Sequence, residues 1–412
     1  MTIRRHLAVR LVPLLAAGAL LVGACSSTSD STSSGSTPGT TGSTAGTTGS
    51  TAGTTGTTAG GAGDYLVFNG QGNNLDAYDP SPPFDSQQVI TNAADDPDGL
   101  DINAQICFFP DQPNRFIAGE DTGQGTGDLQ GWGIFDLSGD ALGDLEATQV
   151  GKLVPTYQGS ADNAENYGCG FLADGRLLTT DVGNQALGPA DGQLIVWFGP
   201  YDRTEVPYCK LDINIATAQS IWVGEDDRVY VASARPSDEA GATAGGVYVY
   251  DGPFPTGPDA AGGCGGTDST GAPLAEMTGT KLIASGDHGL LSPSGLAAAP
   301  DGNLYVSSVF TGVINEYTTD GTFVRTILQP PAGETLGAAP FSTGTPLGLA
   351  TGPDGSLFYA DIGLVLEAGQ SPGPGDGTGT LRRITFVDGE PQAPETMADG
   401  LAFPDGVGIY VP

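Results

Sequence analysis

One short phrase recurs through this chain and limits what it can fold into. Residues Ser294 to Ser308 read Ser-Gly-Leu-Ala-Ala-Ala-Pro-Asp-Gly-Asn-Leu-Tyr-Val-Ser-Ser, and Leu347 to Asp361 read Leu-Gly-Leu-Ala-Thr-Gly-Pro-Asp-Gly-Ser-Leu-Phe-Tyr-Ala-Asp. Each is an apolar run, a Pro-Asp-Gly turn and a second apolar run. Pro presets φ, Asp bonds its own backbone two residues on, and Gly supplies positive φ, so the phrase predicts a β-hairpin. Weaker copies run from Gly168 to Asp181, Ser220 to Ser233 and Gly400 to Val411, with an irregular one from Ile106 through Arg115 to Glu120. Six hairpins are expected in all.

Further short strands follow the earlier hairpins: Val313–Tyr317 then Phe323–Leu328, Gly246–Tyr250 then Lys281–Ala284, and Gln193–Phe198 then Cys209–Ile213. Four strands per unit, repeated without helices, predict an all-β fold, a six-bladed β-propeller of four-stranded antiparallel blades. The last hairpin has no outer strands after it, whereas Tyr65–Phe68 and Asn74–Tyr78 open the folded region without an inner hairpin. The two ends are therefore expected to share the last blade and close the ring.

The first residues carry Arg4 and Arg5, then an apolar run from Leu11 to Ala24, then Cys25. A basic start, an apolar stretch too short to span a bilayer and a small-residue cleavage site make an export signal over 1–24. Val22-Gly-Ala-Cys25 resembles the lipobox of bacterial lipoproteins. That resemblance implies cleavage before Cys25, acylation of Cys25 with palmitate-type chains, and an extracytoplasmic protein anchored to the bacterial cell membrane. The competing reading is an ordinary secretory leader with a chance cysteine. Residues 25–63 are almost wholly Ser, Thr, Gly and Ala, with too little apolar surface to offset ordering entropy. They are expected to form a tether reaching roughly 35 Å, with the propeller over 64–412.

Formal net charge is −34, and loss of Arg4, Arg5 and Arg10 with the signal leaves −37. So acidic a domain repels phosphate backbones and anionic lipid, which argues against nucleic acid and leaves the anchor as the only membrane contact. A monomer is expected. Beyond Cys25 lie Cys107, Cys169, Cys209 and Cys264. An even number in an exported chain predicts two disulfides, and metal ligation is disfavoured by the lack of Cys-x-x-Cys spacing or a companion His.

The phrase Gly-Leu-Ala-x-x-Pro-Asp-Gly-x-Leu-Tyr-Val resembles the repeat of NHL propellers and of the gluconolactonase/senescence-marker-protein superfamily, most strongly from Ser292 to Asp361. An insertion, Gly252 to Pro273, is expected between outer strands of blade 4, and a loop, Pro330 to Thr345, leads into blade 5. Placed on the ring, Cys209 pairs with Cys264 and Cys107 with Cys169. Aligned hairpins put Glu120, Asp181, Ser233, Ser308 and Asp361 at one position leaving the second strand. Three carboxylates around one channel mouth are a candidate calcium site, since Ca²⁺ takes six to eight oxygens at about 2.3–2.6 Å. The alternative is that each caps backbone within its own blade.

The positions entering the innermost strand are Tyr167, Gln219, Ser294, Leu347 and Asp399. Enzymes of the resembled superfamily bind a divalent cation there through Glu, two Asn and an Asp that also acts as base. Here Ser294 and Leu347 stand at the asparagine-like positions, and Asp399 keeps an acid before Gly400. His288 is the only histidine after the leader and, beside Asp287, is a candidate general base. Arg235 is a candidate anchor for an anionic substrate, with Tyr167 and Ser294 as further ligand contacts. A Ser-His-Asp triad would have to use His288. The reading is a propeller that binds a small molecule, peptide or envelope component. The alternative is a calcium-dependent lactonase or esterase.

Overall fold

The computed structural model describes residues 65–71, 74–91, 101–121, 131–156, 166–183, 192–203, 205–234, 245–332, 343–365, 373–374 and 377–412. The signal, Cys25 and the tether lie outside the described residues, as does Arg235.

Six four-stranded antiparallel blades form the ring, as the repeat predicts. From the channel outward, blade 1 is Asp101–Phe109, Gln112–Asp121, Gly131–Ser138 and Glu146–Leu153. Blade 2 is Asn166–Phe171, Leu177–Asp181, Gly192–Trp197 and Tyr208–Ile215, and blade 3 is Ala218–Val223, Val229–Ser233, Gly246–Tyr250 and Thr280–Ala284. Blade 4 is Pro293–Ala298, Leu304–Ser308, Val313–Tyr317 and Phe323–Leu328. Blade 5 is Pro346–Thr351, Leu357–Asp361, Gly379–Ile384 and Glu395–Leu401. Blade 6 joins the ends: Pro404–Tyr410 is innermost, and Leu66–Gln71, Asn74–Tyr78 and Ser86–Thr91 complete it.

The Asp-Gly turns work as their chemistry dictates, two of them preceded by Pro and one by Ala173. Gly175, Gly302 and Gly355 take φ of 85°, 85° and 82°, the left-handed region that favours glycine. The N–H groups of Leu172, Ala299 and Gly352 each donate to the carbonyl four residues on. Asp174, Asp301 and Asp354 each accept the N–H two residues on through Oδ1. The one exception among the expected hairpins is the last. Pro404-Asp405-Gly406 is no turn but the start of the innermost strand of blade 6, and Glu395–Leu401 before it is the outermost strand of blade 5. Leu66–Gln71 takes the pairing that a second hairpin strand would have made, and Gly406 stays out of the left-handed region.

Apolar side chains fill the seams between blades. The seam of blades 6 and 1 holds Phe68, Phe116, Phe135 and Tyr410, with Phe68 5.2 Å from Phe108 edge to face. Both disulfides pair as expected: Cys107–Cys169 joins the innermost strands of blades 1 and 2, and Cys209–Cys264 ties the insertion to the edge of blade 2. That insertion belongs to blade 3 and not to blade 4, because Thr280–Ala284, which follows it, pairs with Gly246–Tyr250. It crosses to blade 2 as a strap, where Pro273–Leu274 adds in parallel beside Lys210 and extends that sheet to six strands with Gly266–Thr267. The outer edge of blade 2 is thereby covered.

Glycines allow the innermost strands to approach. A side chain at Gly406 would collide with the Ala104 carbonyl, at Gly348 with that of Asp405, and at Gly295 with that of Leu347. Gly406→Ala is expected to lower stability by about 1–3 kcal/mol, read as a fall in the urea midpoint. An unchanged midpoint would show that the seam of blades 6 and 1 is looser than described.

Candidate functional site

Every innermost strand breaks its pairing just inside the mouth. In blades 2 to 5, two residues oppose one on the partner between Asn166 and Cys169, Ala218 and Ile221, Pro293 and Leu296, and Pro346 and Leu349. Blade 1 slips between Asn103 and Cys107, and blade 6 between Gly406 and Pro404. A β-bulge leaves its extra residue unpaired and re-aims its side chain. The bulged residues are Ala104, Tyr167, Gln219, Ser294, Leu347 and Asp405, one per blade at one level of the channel. The Cβ contacts of the glycines after four of them confirm the alignment: Gly168 approaches the carbonyl of Gln219, Gly295 that of Leu347, Gly348 that of Asp405 and Gly406 that of Ala104.

Asp405 is the chemically distinctive member. Its side chain is fully buried, and burial pushes its carboxyl up to about 7 against the opposing pull of the Ala104 N–H. That N–H donates to Oδ2 at 3.0 Å, whereas Oδ1 is buried without a protein partner. The Tyr167 hydroxyl donates to the Asp405 carbonyl at 3.1 Å, and burial raises its own pKa. Gln219 Oε1 is a second buried acceptor without a protein partner on the same level. Tyr167 and Leu347 of this level join Val182, Val309, Ile362 and Leu364 in a buried apolar cluster, flanked by Phe310 and Phe403.

Asp399, expected on an innermost strand, lies on the exposed outermost strand of blade 5. The acid at the innermost position is Asp405, because the last Pro-Asp-Gly is strand and not turn. Tyr167 and Ser294 do stand on the channel; the Ser294 hydroxyl donates to the Ser292 carbonyl at 2.8 Å.

The rim carboxylates mostly serve their own blades. Asp361 Oδ1 accepts from the Thr345 N–H (2.6 Å), the Thr345 hydroxyl (3.0 Å) and the Gly363 N–H (3.0 Å). Its Oδ2 accepts from the Thr380 hydroxyl (2.8 Å) and Arg382 (3.1 Å). Asp181 accepts from the Gly183 N–H and from Gln193. Ser233 and Ser308 use their hydroxyls as Asp361 uses Oδ1, each accepting the N–H of the residue sixteen earlier. The shared position is thus a clasp on the loop arriving from the preceding blade. The Glu120 side chain lies outside the described residues. Among the described residues, no three His, Cys, Asp or Glu gather closely enough to hold a metal ion.

His288 does not reach the mouth. Its ring stacks on Phe323 of the outermost strand of blade 4 at 3.7 Å, and Nδ1 lies 3.0 Å from Asp287, whose carboxylate accepts from the Tyr317 hydroxyl. Asn315 of blade 4 donates to the His288 carbonyl and draws the loop outward. Sequence reasoning missed Gln105. Its side chain bridges three blades, accepting from the Cys169 N–H (3.3 Å), the Ser220 hydroxyl (3.0 Å) and the Ile221 N–H (3.2 Å) while donating to the Ile221 carbonyl (3.2 Å). The available signal was its place in the blade 1 bulge, where other blades carry glycine or serine.

No protein-family model matches the chain, and no curated protein does. Solved structures similar to it include the periplasmic gluconolactonase of Pseudomonas aeruginosa (14% identity, covering 84% of this chain and 99% of that one, TM-score 0.49). A luciferin-regenerating enzyme shares 15% identity over 79% of this chain and 93% of that one, TM-score 0.46. The calcium-binding protein regucalcin of Agrobacterium tumefaciens shares 14% over 73% and 77%, TM-score 0.42. Identities this low carry no activity across.

A buried carboxyl with a raised pKa makes stability depend on pH. Asp405 holds its proton more tightly in the native state than in the unfolded chain, where the value is near 3.8. Its contribution is therefore complete below about pH 4 and is lost as pH rises through 7, by up to about 4 kcal/mol. Asp405→Asn should flatten the fall in melting temperature between pH 4 and 8; an unaltered slope would assign it to other groups.

Proposed function

We propose that this chain is an extracytoplasmic lipoprotein, anchored through Cys25, whose propeller binds a small, largely apolar molecule or envelope component at the channel mouth. The supporting observation is the pairing of an apolar cluster with buried polar atoms that no protein group satisfies, Asp405 Oδ1 and Gln219 Oε1. Buried polar atoms are rarely left unpaired, and those at a concave apolar site fix the orientation of a ligand. Below pH 7 the proton of Asp405 belongs on Oδ1, since Oδ2 already accepts from Ala104. Oδ1 then donates while Gln219 Oε1 accepts. Together they suit a hydroxyl, carbonyl or amide on an otherwise apolar molecule.

A second reading, a calcium-dependent lactonase or esterase, rests on the resemblance of the repeat and on Asp405. A carboxyl titrating near neutrality at the innermost position can take or give a proton. Asp361 and Asp181 are engaged within their blades, and Leu347 offers no ligand atom, so the described donors give calcium little to hold.

The test is a melting-temperature screen of the chain against neutral lactones, esters and alcohols, with and without calcium. Binding predicts that at least one compound raises the melting temperature without calcium and without turnover, and that Asp405→Asn with Gln219→Leu cancels the rise. A calcium-dependent rise together with ester or lactone hydrolysis would transfer the assignment to the second reading. No response to any compound or to calcium would remove both.

A further inference from the structure

The strap from blade 3 is fastened to blade 2 by more than its disulfide. Lys210 Nζ lies 2.6 Å from Asp268 Oδ2, and both side chains are fully inaccessible to solvent. No other ion pair among the described residues is fully buried on both sides. The remaining pairs use arginine or His288. Burying two charges strips each ion of its hydration; burial opposes the charge on Asp268, and the hydrogen bonds from Lys210 and Thr270 outweigh it and hold the carboxyl below its ordinary range.

The carboxylate is held asymmetrically. Oδ1 accepts from the Thr270 N–H (2.8 Å), the Thr270 hydroxyl (2.6 Å) and the Ala272 N–H (3.0 Å), while Oδ2 faces the amine. Three preorganised donors on one oxygen are what a tetrahedral intermediate needs for its developing negative charge. The amine stands on the other oxygen, fixed between the parallel pairing of Lys210 with Leu274 and the Asp268–Thr270 turn. Held proximity of this kind replaces a bimolecular encounter, and a bond that forms once per molecule needs no rapid rate.

We propose that Lys210 and Asp268 condense to an amide, a covalent cross-link between strap and blade. One ammonium proton first passes to Oδ2 and frees the Nζ lone pair; Nζ then attacks Cγ, the N–C bond forms, charge collects on Oδ1 under its three donors, and the Cγ–Oδ2 bond breaks. In all, two of the three ammonium protons pass to Oδ2, which leaves as water, and the third remains on the amide nitrogen. No oxidant, reductant or cofactor enters. Two buried charges are replaced by one neutral amide whose carbonyl keeps the Thr270 and Ala272 donors.

Cys209 and Cys264 join the same two segments, so the test must first remove the disulfide. The full chain is purified, unfolded, reduced, alkylated and digested with trypsin, and the peptides are weighed. The expected result is a branched peptide joining the Lys210 and Asp268 segments, one water lighter than the two together, with cleavage after Lys210 abolished. Lys210→Arg, which preserves the charge pair but forms no such amide, should give separate peptides of unmodified mass. Separate, full-mass Lys210 and Asp268 peptides from the natural chain would overturn the proposal, because that measurement does not depend on how any variant folds.

Discussion

The ring stands on the pairing of Leu66–Gln71 with Pro404–Tyr410, which brings Leu66 opposite Tyr410 across almost the whole domain. Every other blade is assembled from strands near one another in sequence, and only this one must wait for both ends. The loop-closure cost of so distant a contact grows slowly with length, and it is offset by a seam rich in aromatic rings. Phe68 sits among Phe108, Phe116 and Tyr410 at centroid distances of 5.2, 6.0 and 5.9 Å. Once that seam forms, the innermost strand of blade 6 has its partner and the channel acquires its sixth wall. That wall carries Asp405.

Close approach at the channel also explains the division of labour among acidic residues. Backbones there pass so near one another that glycine follows the bulge in blades 2, 4, 5 and 6. Loops arriving from the preceding blade must be held at the same level, and the second strand does this with whatever acceptor it has: serine in blades 3 and 4, aspartate in blade 5. Serine and carboxylate are interchangeable in that task. Asp405, by contrast, sits where burial taxes its charge and where no loop requires it.

Much of this was legible in the chain. Repeated hairpin chemistry gave blade count, strand order and the sharing of the last blade, because turn residues and apolar alternation are local signals. Cysteine pairing followed from placing those hairpins on a ring. What misled was the last Pro-Asp-Gly: an identical tripeptide is a turn when its glycine can go left-handed and a strand when a distant segment claims its hydrogen bonds. That single ambiguity moved the innermost acid from Asp405 to Asp399. His288 was misplaced for a related reason, since its outward turn is dictated by Asn315, Phe323 and Tyr317 of a neighbouring blade, contacts that no local pattern encodes. Gln105 had only its place in the blade 1 bulge to mark it, because its partners belong to two other blades.

The direction of Leu66–Gln71 has a consequence for how the domain can be presented. It runs antiparallel to the innermost strand, so Tyr65 emerges on the face of the Pro-Asp-Gly turns, beside Gly352 and Asp354 of blade 5. Tyr65 therefore stands on the back of the disc, and the channel mouth opens on the opposite side. On the proposed anchoring through Cys25, attachment and access would start from opposite faces of the ring.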